Sequence, residues 1–323
     1  MDLMDLPPWA DDILRCPATG ERLQRSADRL LGRGGAQVAT VEQGVVRLQI
    51  RSGDQGIEFY RSVGGAHFHE RAAVPFAMSS LDTPVYHAWI DDVLPADRDA
   101  VIVDVGGGDG RNAGHCLSRG CRRVVVVDAV AEALMRFRQR VAEQNPQWLD
   151  RLLLIEADAR ALPLQPSCAA CVIAIETLYY LNEDYEIGLK ECVRIMSPKA
   201  KLLIAERDYE GGLVLRLLYH GLAGMLELAD SRSIWDGAGN AMVRTRCFTQ
   251  PELIDLCRAN GLVPLQIGGT SLLALLLGYL NGRKMLAERD RERLPEVTKL
   301  LAALGREGAV RRCHIVVAQR AGG

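Results

Sequence analysis

The chain has 323 residues, 48% of them hydrophobic, with 39 lysines and arginines against 41 aspartates and glutamates. That length supports a substantial core, arranged as one large domain with an appendage or as two domains. A formal charge of −2 removes the general electrostatic case for a nucleic-acid partner, which favours a basic face.

The opening stretch, MDLMDLPPWADD, is acidic where an export signal is basic and then apolar, so a cytoplasmic protein is expected. Residues 1–50 give short apolar pieces broken by CPATG and GRGG, which predicts a small β-rich module without a large core of its own. Residues 51–98 read as a linker and leading helices that cover a ligand site. From 99 to 323, apolar strand-like runs alternate with amphipathic segments, the signature of a parallel sheet covered on both faces. Seven strands are predicted, at 101–105, 123–127, 152–156, 171–176, 201–205, 262–267 and 313–318. Helices are expected at 131–143, stopped by Asn145-Pro146, and at 183–196, stopped by Ser197-Pro198. A further helix starts at the capping box Thr249-Gln-Pro-Glu252 and ends at Gly261. The basic runs at 136–140 and 289–293 read as solvated helix faces. The apolar run at 272–277 is too short and interrupted to span a bilayer, so no membrane association is expected.

Nine scattered cysteines suit buried thiols in a reducing compartment. Cys168 and Cys171 form a CxxC at the start of an apolar run and read as core. His67 and His69 lack further ligands at metal spacing, so no metal site is expected.

The stretch VIVDVGGGDGRNA, residues 101–113, places four glycines at the end of a strand. Such a turn lets a ligand approach the bare backbone. GDGRNA fits the dinucleotide pattern, and Asp128 follows at the required distance. Asp104 and Asp109 discriminate between ligands: they would repel a pyrophosphate and attract a cofactor carrying an ammonium and a sulfonium.

The spacing of Asp104, Gly106, Gly108 and Gly110 resembles the first motif of the class I, seven-stranded, Rossmann-like S-adenosylmethionine-dependent methyltransferases. VVVVDAV, EADARALPL, VIAIETLYYL, ECVRIMSPKAKLLIAERD and FTQPELIDLCRANGLVPLQI resemble its later motifs, in order, over about 220 residues. The resemblance implies an α/β fold: a doubly wound, mostly parallel seven-stranded sheet, its seventh strand antiparallel, with a small β-rich N-terminal module and helical lid insertions at 209–247 and 270–308. It implies S-adenosyl-L-methionine as cofactor, with Asp128 on the ribose hydroxyls, Ala129 beside the adenine, Asp158 accepting from the adenine amino group and the Ala159 amide facing the ring. Glu176 and Thr177 would border the methyl-transfer centre. Ala169-Ala170 replaces the phenylalanine-aspartate pair of many relatives, and Tyr179-Tyr180 stands where quinone-type C-methyltransferases carry histidines. ILRCPATGERL with AQVATVEQGVVRL is similar to the zinc-ribbon-like module that activates some methyltransferases; Cys16 has Thr19 where its partner would stand, so a metal-free remnant is expected.

Glu176, Tyr180 and His220 are the candidate catalytic residues, with Tyr179 and Glu206 beside them; His220 shares a helical stripe with Arg216 and Glu227 and reads more readily as a solvated-face residue than as a base. Arg71 is a candidate clamp for the cofactor carboxylate, under an apolar cover from Phe68. The apolar insertions suit an acceptor roof, a dimer interface or core. The expected activity is methyl transfer to oxygen, nitrogen or carbon of a small, apolar metabolite, with no nucleic-acid partner and a homodimer as one assembly. The alternatives are a non-methylating cofactor-binding descendant, either a binding protein or a cyclase-like enzyme, an rRNA base methyltransferase and a nicotinamide-dependent reductase.

Overall fold

The computed structural model describes residues 6–50, 54–62, 78–238, 241–287, 292–307 and 311–321. After the single turn α1 (Ala10–Ile13), strands β1 (Gln24–Ser26), β2 (Arg29–Leu31), β3 (Gln37–Glu42) and β4 (Val45–Leu48) run as an antiparallel meander. Its β3–β4 turn is the pair Gln43-Gly44, with φ of 49° and 71°. That doubly positive conformation has the twist of the strands it joins. Helices α2 (Gln55–Ser62) and α3 (Met78–Val93) follow.

Strand and helix then alternate through β5 (Val101–Val105), α4 (Arg111–Ser118), β6 (Arg123–Asp128), α5 (Ala131–Gln144), β7 (Leu152–Glu156), β8 (Ala169–Ile175), α6 (Tyr185–Ile195) and β9 (Met196–Arg207). The five strands pair in parallel in the order β7-β6-β5-β8-β9. Both sheet faces are covered, which is why these strands are apolar throughout. Val103 and Val125 share one core cluster with Leu189 of α6, whereas Ile102 and Val124 share the other with Leu117 of α4 and Leu134 of α5.

The second half of the chain adds α7 (Tyr209–Ser231), the hairpin β10 (Ser233–Ala238) and β11 (Ala241–Arg246), α8 (Gln250–Ala259), β12 (Leu262–Ser271), α9 (Leu272–Gly282), α10 (Leu294–Glu307) and β13 (Arg311–Arg320). β13 inserts antiparallel between β9 and β12. The capping box forms at the start of α8, where Thr249 and Glu252 each accept from the other's backbone N–H.

The expected doubly wound α/β sheet with an antiparallel last strand is present, and it is larger than the expected seven strands. β4 pairs in parallel with β7, with Val45 opposite Leu154 and Val46 opposite Ile155, so that one sheet of eleven strands runs β1-β2-β3-β4-β7-β6-β5-β8-β9-β13-β12. An unpaired β7 would leave a row of backbone donors and acceptors at the sheet edge, and β4 satisfies them. Leu14, Leu23 and Leu30 of the module pack in the same cluster as Leu153 and Ile155, so the module and the sheet share a core.

The two insertions differ. Ala274 and Leu301, from α9 and α10, are buried in the cluster that holds Tyr86 and Trp89 of α3, so this insertion is in part core. α7 instead leaves Leu217, Tyr219, Leu222 and Leu226 between 41% and 66% exposed. By length and composition it is apolar enough to cross a membrane, running 23 residues with an 18-residue window of mean hydropathy 1.3. Gly221, at φ 66° and ψ −164°, breaks it into two shorter helices.

Candidate functional site

The site forms at the carboxyl ends of β5, β6, β7 and β8, where a doubly wound sheet leaves a crevice. Gly106, Gly108 and Gly110 have φ of 71°, 53° and 79°, in the left-handed region that glycine occupies without strain. Space forbids a side chain as well. A Cβ on Gly106 would stand 2.3 Å from Thr177 Oγ1, and one on Gly110 would stand 2.3 Å from the Phe137 ring. The loop is thereby held close under the cavity, with Gly110 leading directly into α4.

Asp128, at the end of β6, pins this loop: Oδ2 accepts from Gly108 N–H at 2.7 Å and Oδ1 from Val130 N–H at 2.9 Å. Burial pushes its carboxyl up to about 6, against the pull of those two donors. Each carboxylate oxygen has a second lone pair, so the group can still accept from ligand hydroxyls. At the end of β7 the chain turns through Asp158, whose carboxylate takes Arg160 Nη2 at 2.7 Å and the Arg160 N–H at 2.8 Å. Arg160 also pairs with Asp54 at 2.7 Å and Asp184 at 2.9 Å. Asp54 caps α2 by accepting from Gly56 and Ile57 N–H. This anchoring sets Ile57 and Tyr60 in the cavity wall, with the Tyr60 ring edge-on to Tyr180 at 4.9 Å.

The cavity has about 1080 Å³ of empty volume, counting the part open to solvent, and Gly106, Gly108, Asp128, Ala129, Asp158, Ala159, Glu176 and Tyr180 all line it. Gly110 shapes the loop from behind without lining this cavity, and Asp104 is buried in β5 beneath it. The expectation that Asp104 and Asp109 together face the ligand is therefore corrected for Asp104. Burial pushes its carboxyl up to about 7, more than nearby Arg111 offsets. The carboxylates in the wall are Asp54, Asp109, Asp128, Asp158 and Glu176, with Arg111 as the cationic group. This negative balance suits a cationic ligand better than a pyrophosphate.

Glu176 leaves β8 with φ of 54°, a strained conformation for a residue with a Cβ. Its Oε1 accepts from Tyr86 Oη at 2.9 Å and from the Arg312 guanidinium, which also pairs with Asp82 at 2.6 Å. Burial raises the Glu176 carboxyl and the Arg312 and Arg111 guanidiniums more than reverse that, leaving it at about 2. So low a value makes Glu176 a weak general base near neutral pH. Glu206 is buried in β9 and takes Leu178 and Tyr179 N–H at 3.1 and 2.9 Å, so it holds the 3-10 turn that presents both tyrosines. Burial pushes its carboxyl up to about 8. Tyr179 is buried, with Arg207 stacked 4.8 Å from its ring centre. Burial lifts its hydroxyl well above the ordinary phenol range.

His220 is not in the site. It lies exposed on α7 beside the break at Gly221, as the solvated-face reading of its stripe has it. Arg71, Phe68, His67 and His69 lie outside the described residues. Cys171 is buried in β8. Sequence reading missed Asp82, Tyr86 and Arg312, which come from α3 and β13. The available signal was an arginine pair opening the apolar run RRCHIVV, since a guanidinium drawn into a core requires a carboxylate.

Residues 102–199 match the family model described as a methyltransferase domain. No curated protein matches the sequence. Among solved structures, the chain is similar to a Methanosarcina mazei S-adenosylmethionine-dependent methyltransferase, at 18% identity and a TM-score of 0.51, over 73% of this chain and 98% of that one. It is similar to a chain in a Haloferax volcanii complex of the Trm112 methyltransferase activator with a methyltransferase, at 15% identity and a TM-score of 0.52, over 82% and 97%. The cyclase SpnF aligns at 14% identity and a TM-score of 0.51, over 74% and 81%.

Proposed function

We propose that the chain, whose residues 102–199 match a methyltransferase domain, is a class I S-adenosylmethionine-dependent methyltransferase that transfers a methyl group to oxygen, nitrogen or carbon of a small, apolar metabolite. One observation carries this reading: the glycine loop, Asp128, Asp158 and Glu176 line a single cavity at the sheet's carboxyl edge. In it Asp128 would accept from the cofactor's ribose hydroxyls, and Ala129, Asp158 and Ala159 would border its adenine. When bound, the cofactor supplies an electrophilic methyl group on a sulfonium. The protein's part is to align the acceptor with that methyl and to exclude water, which for an in-line displacement supplies much of the rate. Ile57, Tyr60 and Tyr180 give this end of the cavity flat, largely apolar walls suited to the acceptor. Glu176, fixed by Arg312 and Tyr86, would stabilise positive charge rather than take a proton.

Calorimetric titration with S-adenosylhomocysteine, with NAD as the competing case, tests the cofactor half. Heat for the former alone is expected; saturable binding of NAD alone would overturn the reading. Turnover of candidate acceptors, followed as S-adenosylhomocysteine formed, tests the other half.

A second reading is a cofactor-binding descendant without methyl transfer, and the structures this chain is similar to include the cyclase SpnF. The capture of Glu176 by Arg312 favours it, because this carboxylate of the cavity wall is thereby unsuited to act as a base. Tight binding of the cofactor with no turnover across acceptor classes would select it. We read the N-terminal meander as a metal-free extension of the sheet, and the protein as cytoplasmic and acting without nucleic acid or membrane.

A further inference from the structure

A second cleft, of about 940 Å³ including the part open to solvent, lies between α3, α4 and α5, on the other side of Gly110 and Arg111. Its walls differ from those of the first cavity, for no carboxylate lines it and two guanidiniums do. Arg140 is stacked 5.4 Å from the Phe137 ring centre and donates to the Asp109 carbonyl. Arg111 donates to Thr83 Oγ1 at 3.3 Å and lies 5.5 Å from the Tyr86 ring centre. Among the described residues neither forms an ion pair within 4.0 Å. Elsewhere in the chain, the shielded guanidiniums of Arg160, Arg216 and Arg312 each have a carboxylate.

A third polar group joins them. His87, on α3, lines the same cleft, and its Nε2 is buried without a hydrogen-bond partner. Its ring stacks on His115 with centres 4.0 Å apart. Burial, with His115 and Arg111 nearby, holds it down to about 4, so the ring is neutral at pH 7, and its hydrogen bond to the Arg111 backbone carbonyl leaves Nε2 as an acceptor. Phe137 and Trp148 supply broad apolar surface beside these groups. Two guanidiniums with no carboxylate within 4.0 Å among the described residues, beside aromatic walls, together describe the complement of one chemical class.

We propose that this cleft is a second ligand site, for a small organic carboxylate borne on a flat ring. Arg140 and Arg111 take the carboxylate, and Phe137 and Trp148 flank the ring. The site shares Arg111 with the wall of the cavity assigned to the cofactor but does not rest on that assignment. It adjoins the glycine loop through Gly110 and through the Arg140 bond to Asp109, so an occupant would bear on the loop's position.

The test uses the intact chain and benzoate, followed by calorimetry and by NMR line broadening of the ligand. Saturable binding in the millimolar range is expected, as suits so small a ligand. Benzylamine, of the same shape and opposite charge, should not bind. Arg140→Gln should weaken benzoate about tenfold through loss of a charge-assisted hydrogen bond, and Trp148→Ala should weaken it through loss of the ring's wall. Excess S-adenosylhomocysteine should leave benzoate bound. Non-saturating benzoate, equal binding of benzylamine, unchanged affinity in both variants while they keep the native melting transition, or displacement by S-adenosylhomocysteine would each overturn the proposal. Should Arg140→Gln fail to fold, Trp148→Ala and the benzylamine control decide alone.

Discussion

The two ends of the main cavity are built on different principles. At the adenine end, assigned through Asp128 and Asp158, each group sits within a few residues of the strand that positions it and is fixed by its own neighbourhood: Asp128 by Gly108 and Val130, Asp158 by Arg160. At the Glu176 end the same task is done by residues distant in sequence, with Asp82 and Tyr86 on α3, Glu176 after β8 and Arg312 on β13. The first end relies mainly on backbone donors and on glycine φ values. The second relies on a desolvated charge network, in which removing one partner strands the others. A local device tolerates loss of a neighbour better than a network does.

That contrast can be broken at its strongest point first. Arg312→Met should cost about 3–5 kcal/mol of stability, because Glu176 and Asp82 would be left buried without their cation; denaturant unfolding measures it, and a loss below about 1 kcal/mol would show that the network is not what holds this end. Next comes Asp104. Burial raises its carboxyl from 3.8 to about 7 in the folded chain, so the folded state binds a proton that the unfolded state releases. Its contribution to stability is fully present below pH 3.8 and is lost as pH rises through about 7. Asp104→Asn should therefore flatten the fall in melting temperature across that window, and an unchanged slope would refute the assignment. Glu176 acts in the opposite sense, its stabilisation being lost as pH falls from 4.5 towards about 2.

A smaller effect is expected from Asp128→Ala, which should reduce affinity for S-adenosylhomocysteine by roughly 10–100-fold, the range of one or two hydrogen bonds to a charged acceptor. Calorimetry on a variant with native circular dichroism checks it. Smallest is Arg160→Gln. It releases Asp54, the cap of α2, and should speed cofactor dissociation a few-fold at about 1 kcal/mol; stopped-flow displacement would show it, and raised salt should mimic it in the parent chain.

How much of this was legible follows from the same contrast. The glycine loop with Asp128 and Asp158 could be read because its geometry is written in adjacent residues: glycines where φ must be positive, and aspartates where strands end. Strand positions were readable because burial on both faces leaves apolar runs, although β9 extends to Met196–Arg207 and β12 to Leu262–Ser271, beyond their apolar centres. The partnership of Glu176 with Arg312 could not be read, since 136 positions separate them and only the antiparallel insertion of β13 brings them together. His220 is a candidate by residue type alone, and its exposure on α7 agrees with the solvated face that its stripe with Arg216 and Glu227 describes. Asp104 was expected to face the ligand because it opens the motif, yet strand alternation turns its side chain into the core.

The pairing of β4 with β7 reaches beyond the site. A chain begun at residue 51 would present Leu152–Glu156 as a bare border, apolar and ready to bond to any extended segment it meets. Self-association would then be its simplest relief, with chains joining border to border as their concentration rises. The opening fifty residues thus act as a guard on the sheet, keeping the molecule from polymerising along its own grain.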